Sequence, residues 1–172
     1  MIDTRLLTLA TAALLLPVVI ACGDDDGGSG PATDFTALLT GDEEVPPVPT
    51  TATGTATLAL DGDQITYTID VTDLENAFVA HIHIEVQGAN GPVRMNLCGT
   101  GAPEPPCVSG TGVLATGTNG ATVGGISFDS LVSAMRTGGA YVNVHTDDGA
   151  DPPNTGPGDM ASGEIRGQVL AE

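Results

Sequence analysis

"TATLALDGDQITYTIDV", residues 55–71, decides the fold class. Ala56, Leu58 and Leu60 alternate with threonine and alanine. Asp61-Gly62-Asp63 follows, and then Ile65, Tyr67, Ile69 and Val71 alternate with Thr66, Thr68 and Asp70. In an extended chain, side chains two apart share a face, so each run gathers its apolar residues on one side. Two such runs joined by a glycine between aspartates predict a β-hairpin with one buried face.

The same pattern extends in both directions. "FTALLTG" (35–41) reads as a strand, whereas "GDEEVPPVPTTATG" (41–54) is a proline-rich crossover that cannot be a central strand. "AFVAHIHIEV" (77–86), "AYVNVHT" (140–146) and "GEIRGQVL" (163–170) read as strands, with "GTGVLATG" (110–117) a weaker candidate. One helix is expected, capped by Ser127 or Asp129, with Leu131, Val132 and Met135 as its apolar face and Gly138-Gly139 as its stop. Aromatic residues are only 3% of the chain, so the core must be built mainly from Val, Ile, Leu and Ala. Short strands, Gly/Pro turns and one short helix point to an all-β fold: a single antiparallel Greek-key β-sandwich over residues 34–172.

The first 33 residues read differently. Leu6–Ile20 is an apolar run of signal-peptide length, too short and too interrupted by Pro17 for a membrane span. It ends in Val19-Ile20-Ala21-Cys22, which resembles the lipobox of bacterial lipoproteins. That resemblance implies a signal peptide at 1–21, cleavage before Cys22 and lipid (palmitate among the acyl chains) on this residue. The other reading is an ordinary secretory signal with an incidental cysteine. "GDDDGGSGPATD" (23–34) has the composition of a disordered tether, so 22–33 is assigned as an acidic, Gly-rich linker. Several acyl chains hold a protein on a bilayer stably. Gly23, rather than an aspartate, follows the cysteine, which favours an outer-membrane or cell-surface location over inner-membrane retention.

The formal net charge is −18, and losing residues 1–21 removes one acid, Asp3, and one base, Arg5, leaving it unchanged. That balance argues against nucleic acid and anionic lipid surfaces as partners. It suits an exported domain whose partner is an extracellular protein or a cation. Cys98 and Cys107, in "NLCGTGAPEPPCVSG" (96–110), most simply form a disulfide in an exported protein, with a thiolate metal site as the rival.

The chain has three histidines. His81 and His83 fall on the polar side of their strand with Val79 and Glu85, opposite Phe78, Ala80, Ile82, Ile84 and Val86. His145 falls with Tyr141 and Asn143, opposite Val142 and Val144. Glu164, Arg166 and Gln168 lie opposite Ile165, Gly167 and Val169. If these strands are neighbours, His81, His83, His145, Glu164 and Arg166 converge on one patch. Three imidazoles on a rigid sheet suit Cu(II) or Zn(II), with Glu164 or Glu85 as fourth ligand or orienting group. Unperturbed imidazoles would lose such an ion below roughly pH 6. The other reading is a solvated or hydrogen-bonded cross-strand ladder of these histidines with Glu and Arg. Elsewhere, Asp147, Asp148, Asp151 and Asp159 lie in a turn-rich loop whose spacing matches no EF-hand, and a solvated loop is expected there. Asp42, Glu43 and Glu44 read as an exposed charge run. Ser127, Ser130 and Ser133 lie in no nucleophile elbow, and no phosphate-cradling glycine loop follows a strand.

Four motifs in order, "FTALLTGDEEVPPVPTTATGTATLAL" (35–60), "AHIHIEVQGANGPV" (80–93), "YVNVHT" (141–146) and "GEIRGQV" (163–169), resemble the CHRD domain, found in chordin and in exported microbial proteins. In chordin such domains belong to an extracellular binder of growth factors. The resemblance implies a membrane-tethered extracytoplasmic binding or structural module rather than an enzyme. A more distant similarity is to Cu,Zn superoxide dismutase, through the His-Ile-His strand, "GGAYVNVHTDDG" (138–149) and "ASGEIRGQV" (161–169). It implies a copper site at His81, His83 and His145 with Arg166 beside it. The bridging histidine and the zinc loop of that family have no counterpart, so a mononuclear copper or zinc site without dismutation is the expectation.

Overall fold

The computed structural model describes residues 31–101, 103–150 and 156–172. The expected signal peptide at 1–21 and Cys22 lie outside the described residues, as does Asp151. Nine strands are present: β1 (Asp34–Thr40), β2 (Thr53–Asp61), β3 (Gln64–Leu74), β4 (Ala77–Ile84), β5 (Val93–Cys98), β6 (Gly110–Asn119), β7 (Ala140–Thr146), β8 (Ile165–Gln168) and β9 (Leu170–Ala171).

The expected hairpin is β2–β3, paired from Thr53↔Thr72 to Asp61↔Gln64. Gly62 opens its two-residue loop at a φ of 60°, which a side chain would resist and which a type II′ turn requires. From this hairpin one sheet grows in both directions, in the order β5-β4-β7-β8-β1-β2-β3-β6, with β9 paired to β1. All pairings are antiparallel. The sheet curls until its ends meet: Asn119 of β6 donates to the Asn96 carbonyl of β5 at 2.9 Å, and Val123 N–H reaches the Arg94 carbonyl at 2.9 Å. The result is a nearly closed barrel. β4, β5 and β6 follow one another around it, with β3 beside β6 and β7 beside β4, which is the Greek-key exchange.

The inner face carries the alternating apolar set. Phe35, Leu39, Ile65, Ile69, Leu74, Ile82, Met95, Leu97 and Leu114 are fully buried. Each such side chain contributes about 1.5–3 kcal/mol by leaving water. Tyr67 spans the barrel, its hydroxyl donating to the Leu97 carbonyl of β5. The helix α1 (Phe128–Arg136) begins at Ser127, whose side chain accepts from Ser130 N–H at 3.1 Å. It buries Leu131, Val132 and Met135 and ends before Gly138, at φ 67°. Cys98 and Cys107 are joined in a disulfide, so both sulfurs are committed to each other and not to a metal.

Three features depart from the reading of the sequence. β5 was not anticipated, although Val93, Met95 and Leu97 alternate with Arg94 and Asn96: the run is only six residues long and is set between glycine- and proline-rich segments. It is a terminal strand whose two neighbours are β4 and, across the seam, β6. β4 ends at Ile84, so Glu85 and Val86 belong to the following loop. A register shift between Ala77 and Val79 also removes Phe78 from the core face and leaves it 39% exposed. An extra residue in a strand re-aims the side chains around it.

The register makes a testable distinction. Ile69 and Ile82 are both fully buried, whereas Thr68 lies on the outer side of β3. Ile69→Ala or Ile82→Ala should destabilise the protein by about 2–5 kcal/mol in chemical unfolding, and Thr68→Ala by much less. Equal losses at Thr68 and Ile69 would contradict this register.

Candidate metal centre

The three histidines meet. β4 and β7 are neighbours, with His81 opposite Asn143, His83 opposite Tyr141 and Val79 opposite His145. β8 follows on the far side of β7, with Arg166 opposite Asn143. One ligand nitrogen from each of His81, His83 and His145 lies within 4.8 Å of the others. No carboxylate or cysteine joins this group among the described residues.

The patch is not a solvated ladder. His83 is 7% exposed, His145 9%, and Glu164 and Arg166 only 1% each. Alternation correctly placed these residues away from the apolar core, but a second, polar layer covers them. It consists of three loops: 41–50 after β1, 85–92 after β4 and 156–163 before β8. Glu164 accepts from Thr50 Oγ1, Thr146 Oγ1 and Gly158 N–H, each at 2.7 Å, and so ties the first and third loops to the sheet. Arg166 donates through Nε to the Glu43 carbonyl and through Nη1 to Ala89 O at 3.2 Å and Asn90 Oδ1 at 3.0 Å, holding the first and second.

These loops orient the imidazoles. His83 Nδ1 lies 2.9 Å from the Gly91 carbonyl, and His145 Nδ1 lies 3.0 Å from the Ala161 carbonyl. A carbonyl can only accept, so both Nδ1 atoms carry the proton and both Nε2 atoms carry a lone pair. His83 Nε2 is buried and has no hydrogen-bond partner. His145 Nε2 lies 3.4 Å from His81 Nδ1. Tyr141 stacks on His83 at 4.8 Å and 10°, and its hydroxyl accepts from Gly91 N–H at 3.1 Å. The Arg166 guanidinium lies 4.4 Å above the Tyr141 ring. Phe78, turned outward by the register shift, meets His145 edge-on at 6.3 Å.

Burial sets the charge of the rings. Desolvation lowers the pKa of all three, and the neighbouring His145 and His83 add to it at His81, which falls to about 4. At neutral pH the three are neutral and offer lone pairs. Glu44 is shifted the other way. It is 5% exposed, not the exposed charge expected, and desolvation raises its pKa to about 7 despite Arg166, which lowers it. It sits over Gly163, where φ is 122° and where a Cβ would come within 2.5 Å of Glu44 Oε1 and Asn143 Nδ2. Only glycine lets the chain pass so close.

Glu164 and Arg166 thus act on the histidines through the loops they hold. Glu85, considered as a fourth ligand, accepts from its own Val86 N–H at 3.1 Å and is not part of the histidine group. Asp147, Asp148 and Asp159 do come together, at the end of β7. Tyr141, Asn143, Glu44 and the carbonyls of Gly91 and Ala161 were not singled out from the sequence, and backbone carbonyls leave no signal there.

The CHRD domain model matches residues 35–153, which include all three histidines and leave β8 outside. No curated protein matches the chain. A CHRD domain supports a binding or structural module, and the match extends over more than half of the sequence. The chain belongs to the CHRD-domain family.

Proposed function

We propose that this is an exported, lipid-tethered binding module whose ligand is a single transition-metal ion, copper or zinc, held by His81, His83 and His145. The observation that carries this reading is the set of aimed lone pairs. Two imidazoles have their Nδ1–H groups fixed by carbonyls, which is how metal-bound histidines are oriented. The 3.4 Å between His81 Nδ1 and His145 Nε2 is the span of two nitrogens about 2.0–2.1 Å from one ion at a near-tetrahedral angle. As it stands, His81 donates Nδ1–H to His145 Nε2, and the ion would take the place of that proton. The net charge of −18 would concentrate cations around the domain. Cys22 and the acidic tether would hold it at the outer membrane or cell surface.

Calorimetry on the full chain, purified without a histidine tag, should find one Cu(II) or Zn(II) per chain at neutral pH. His83→Ala and His145→Ala should each weaken binding more than about 100-fold, beyond the loss of an orienting group alone, while Glu85→Gln should leave it nearly unchanged. No binding by the wild type would refute the metal centre.

The pKa shifts set the pH behaviour. With His81 held to about 4, proton competition begins well below the pH 6 expected for an ordinary imidazole. The unfolded chain takes up these protons first, so the stability due to neutral rings is complete above about pH 6.5 and is lost as pH falls toward 4. Glu44 has the opposite sign: its folded pKa of about 7 exceeds the unfolded value, so its contribution is present below about pH 4.5 and is lost as pH rises through 7. Glu44→Gln should therefore raise the melting temperature more at about pH 8 than at about pH 5. An equal difference at both would contradict the raised pKa.

Cys22→Ala should release the protein from the membrane fraction or block its processing. Unchanged membrane association and lipid labelling in that variant would remove the tether from the proposal.

A further inference from the structure

The charge balance around the three histidines narrows the ion further. Resting on the metal-centre reading, we propose that the site selects monovalent copper, Cu(I), over divalent copper.

Every donor the histidine group offers is neutral. The carboxylate nearest along the sheet, Glu164, has its oxygens taken up by three donors from Thr50, Thr146 and Gly158. Glu85 is turned to its own backbone, and Glu43 is engaged by the Gln87 side chain. Asn143 and Tyr141, between β4 and β8, carry no charge, and Glu44, buried over Gly163 beside Asn143, faces Arg166 and is not one of the histidine group's donors. Asp147 and Asp148 are exposed to water beyond the end of β7. Opposite them stands a fixed cation. Arg166 is 1% exposed, and its guanidinium is 4.4 Å from the Tyr141 ring, which is itself 4.8 Å from the His83 ring. β7 lies between β4 and β8, so the tyrosine ring separates the cation from the histidine.

Three consequences follow. An ion at the histidines keeps its full charge, because no protein ligand neutralises it. The desolvation penalty of a buried ion rises steeply with charge, so a dication suffers most. The guanidinium adds repulsion in so far as the buried Glu44 beside it is protonated: across roughly 10 Å at an effective dielectric of ~20, each unit of ionic charge then lowers affinity about tenfold, and the dication carries one unit more. Coordination geometry acts in the same direction. Cu(II) prefers a tetragonal set of four or more nitrogen and oxygen donors, which three imidazoles do not supply. Cu(I), a filled-shell ion with no such demand, is satisfied by two or three.

The test uses the full-length protein without a histidine tag. Cu(I) affinity is measured anaerobically by competition with a chromophoric Cu(I) chelator, and Cu(II) affinity by competition with free glycine, both at neutral pH. Ag(I), a redox-inert monocation, is titrated into protein loaded with Zn(II), with tyrosine fluorescence as the readout. Cu(I) should bind more than about tenfold tighter than Cu(II), and Ag(I) should displace Zn(II). Cu(II) binding as tightly as Cu(I), or Zn(II) resisting Ag(I), would overturn the selectivity while leaving the metal centre in place. Failure of every one of these ions to bind would remove the metal centre, and the selectivity with it.

Discussion

Two opposite charges on one short strand organise this domain. Glu164 and Arg166 flank Ile165 at the start of β8, and both are almost completely buried. An ionised group taken out of water needs hydrogen bonds, or its desolvation outweighs everything it gains; Glu164 finds them at both oxygens, and Arg166 finds them at Nε and Nη1 but not at Nη2. The sheet cannot supply those bonds alone, because its backbone groups are committed to the ladders. The partners come from three loops: Thr50 and Glu43 from the first, Ala89 and Asn90 from the second, Gly158 from the third. Satisfying the two charges therefore draws all three loops over the polar face of β4, β7 and β8. The same closure brings the Gly91 and Ala161 carbonyls to His83 and His145, and shuts out the water that would otherwise solvate the protonated rings. The histidines are neutral and oriented because two charges elsewhere on their face had to be satisfied.

The fold was largely legible. Strict period two from Thr55 to Val71 fixed the central hairpin and its register, and Ser127 with Leu131, Val132 and Met135 fixed the helix, because turn chemistry and caps are local effects. β5 was passed over although Val93, Met95 and Leu97 alternate with Arg94 and Asn96, because so short a run between glycine- and proline-rich segments does not stand out as a strand. The direction of the three histidines followed from alternation, but their burial did not. Alternation separates the core face from the other face and says nothing about what lies beyond the second. Glu44 was misread in the same way: in a run of acids before prolines it looks solvated, and only the return of the chain over Gly163 encloses it. Phe78 was lost to a single-residue register shift, which the regular spelling of the strand conceals.

The choice between a polar ladder and a ligand site turns on where the lone pairs go. A ladder stabilises a sheet when its members bond to one another, and each bond then contributes roughly 0.2–1 kcal/mol. His83 makes no such bond at Nε2: its proton is committed to Gly91 and its lone pair is buried without a partner. Leaving an acceptor in that condition costs about 1–3 kcal/mol, more than a ladder bond returns, and an apolar residue of similar shape would avoid the loss. Tyr141, backed on its other side by Arg166, deepens the expense, since it stacks on the His83 ring and closes off the water that could relieve it. A sheet face selected only for stability would not keep this ring. An ion drawn to that lone pair, and to those of His81 and His145 beside it, would convert the deficit into binding energy. The buried, unpartnered lone pair of His83 then lies within the proposed ligand site.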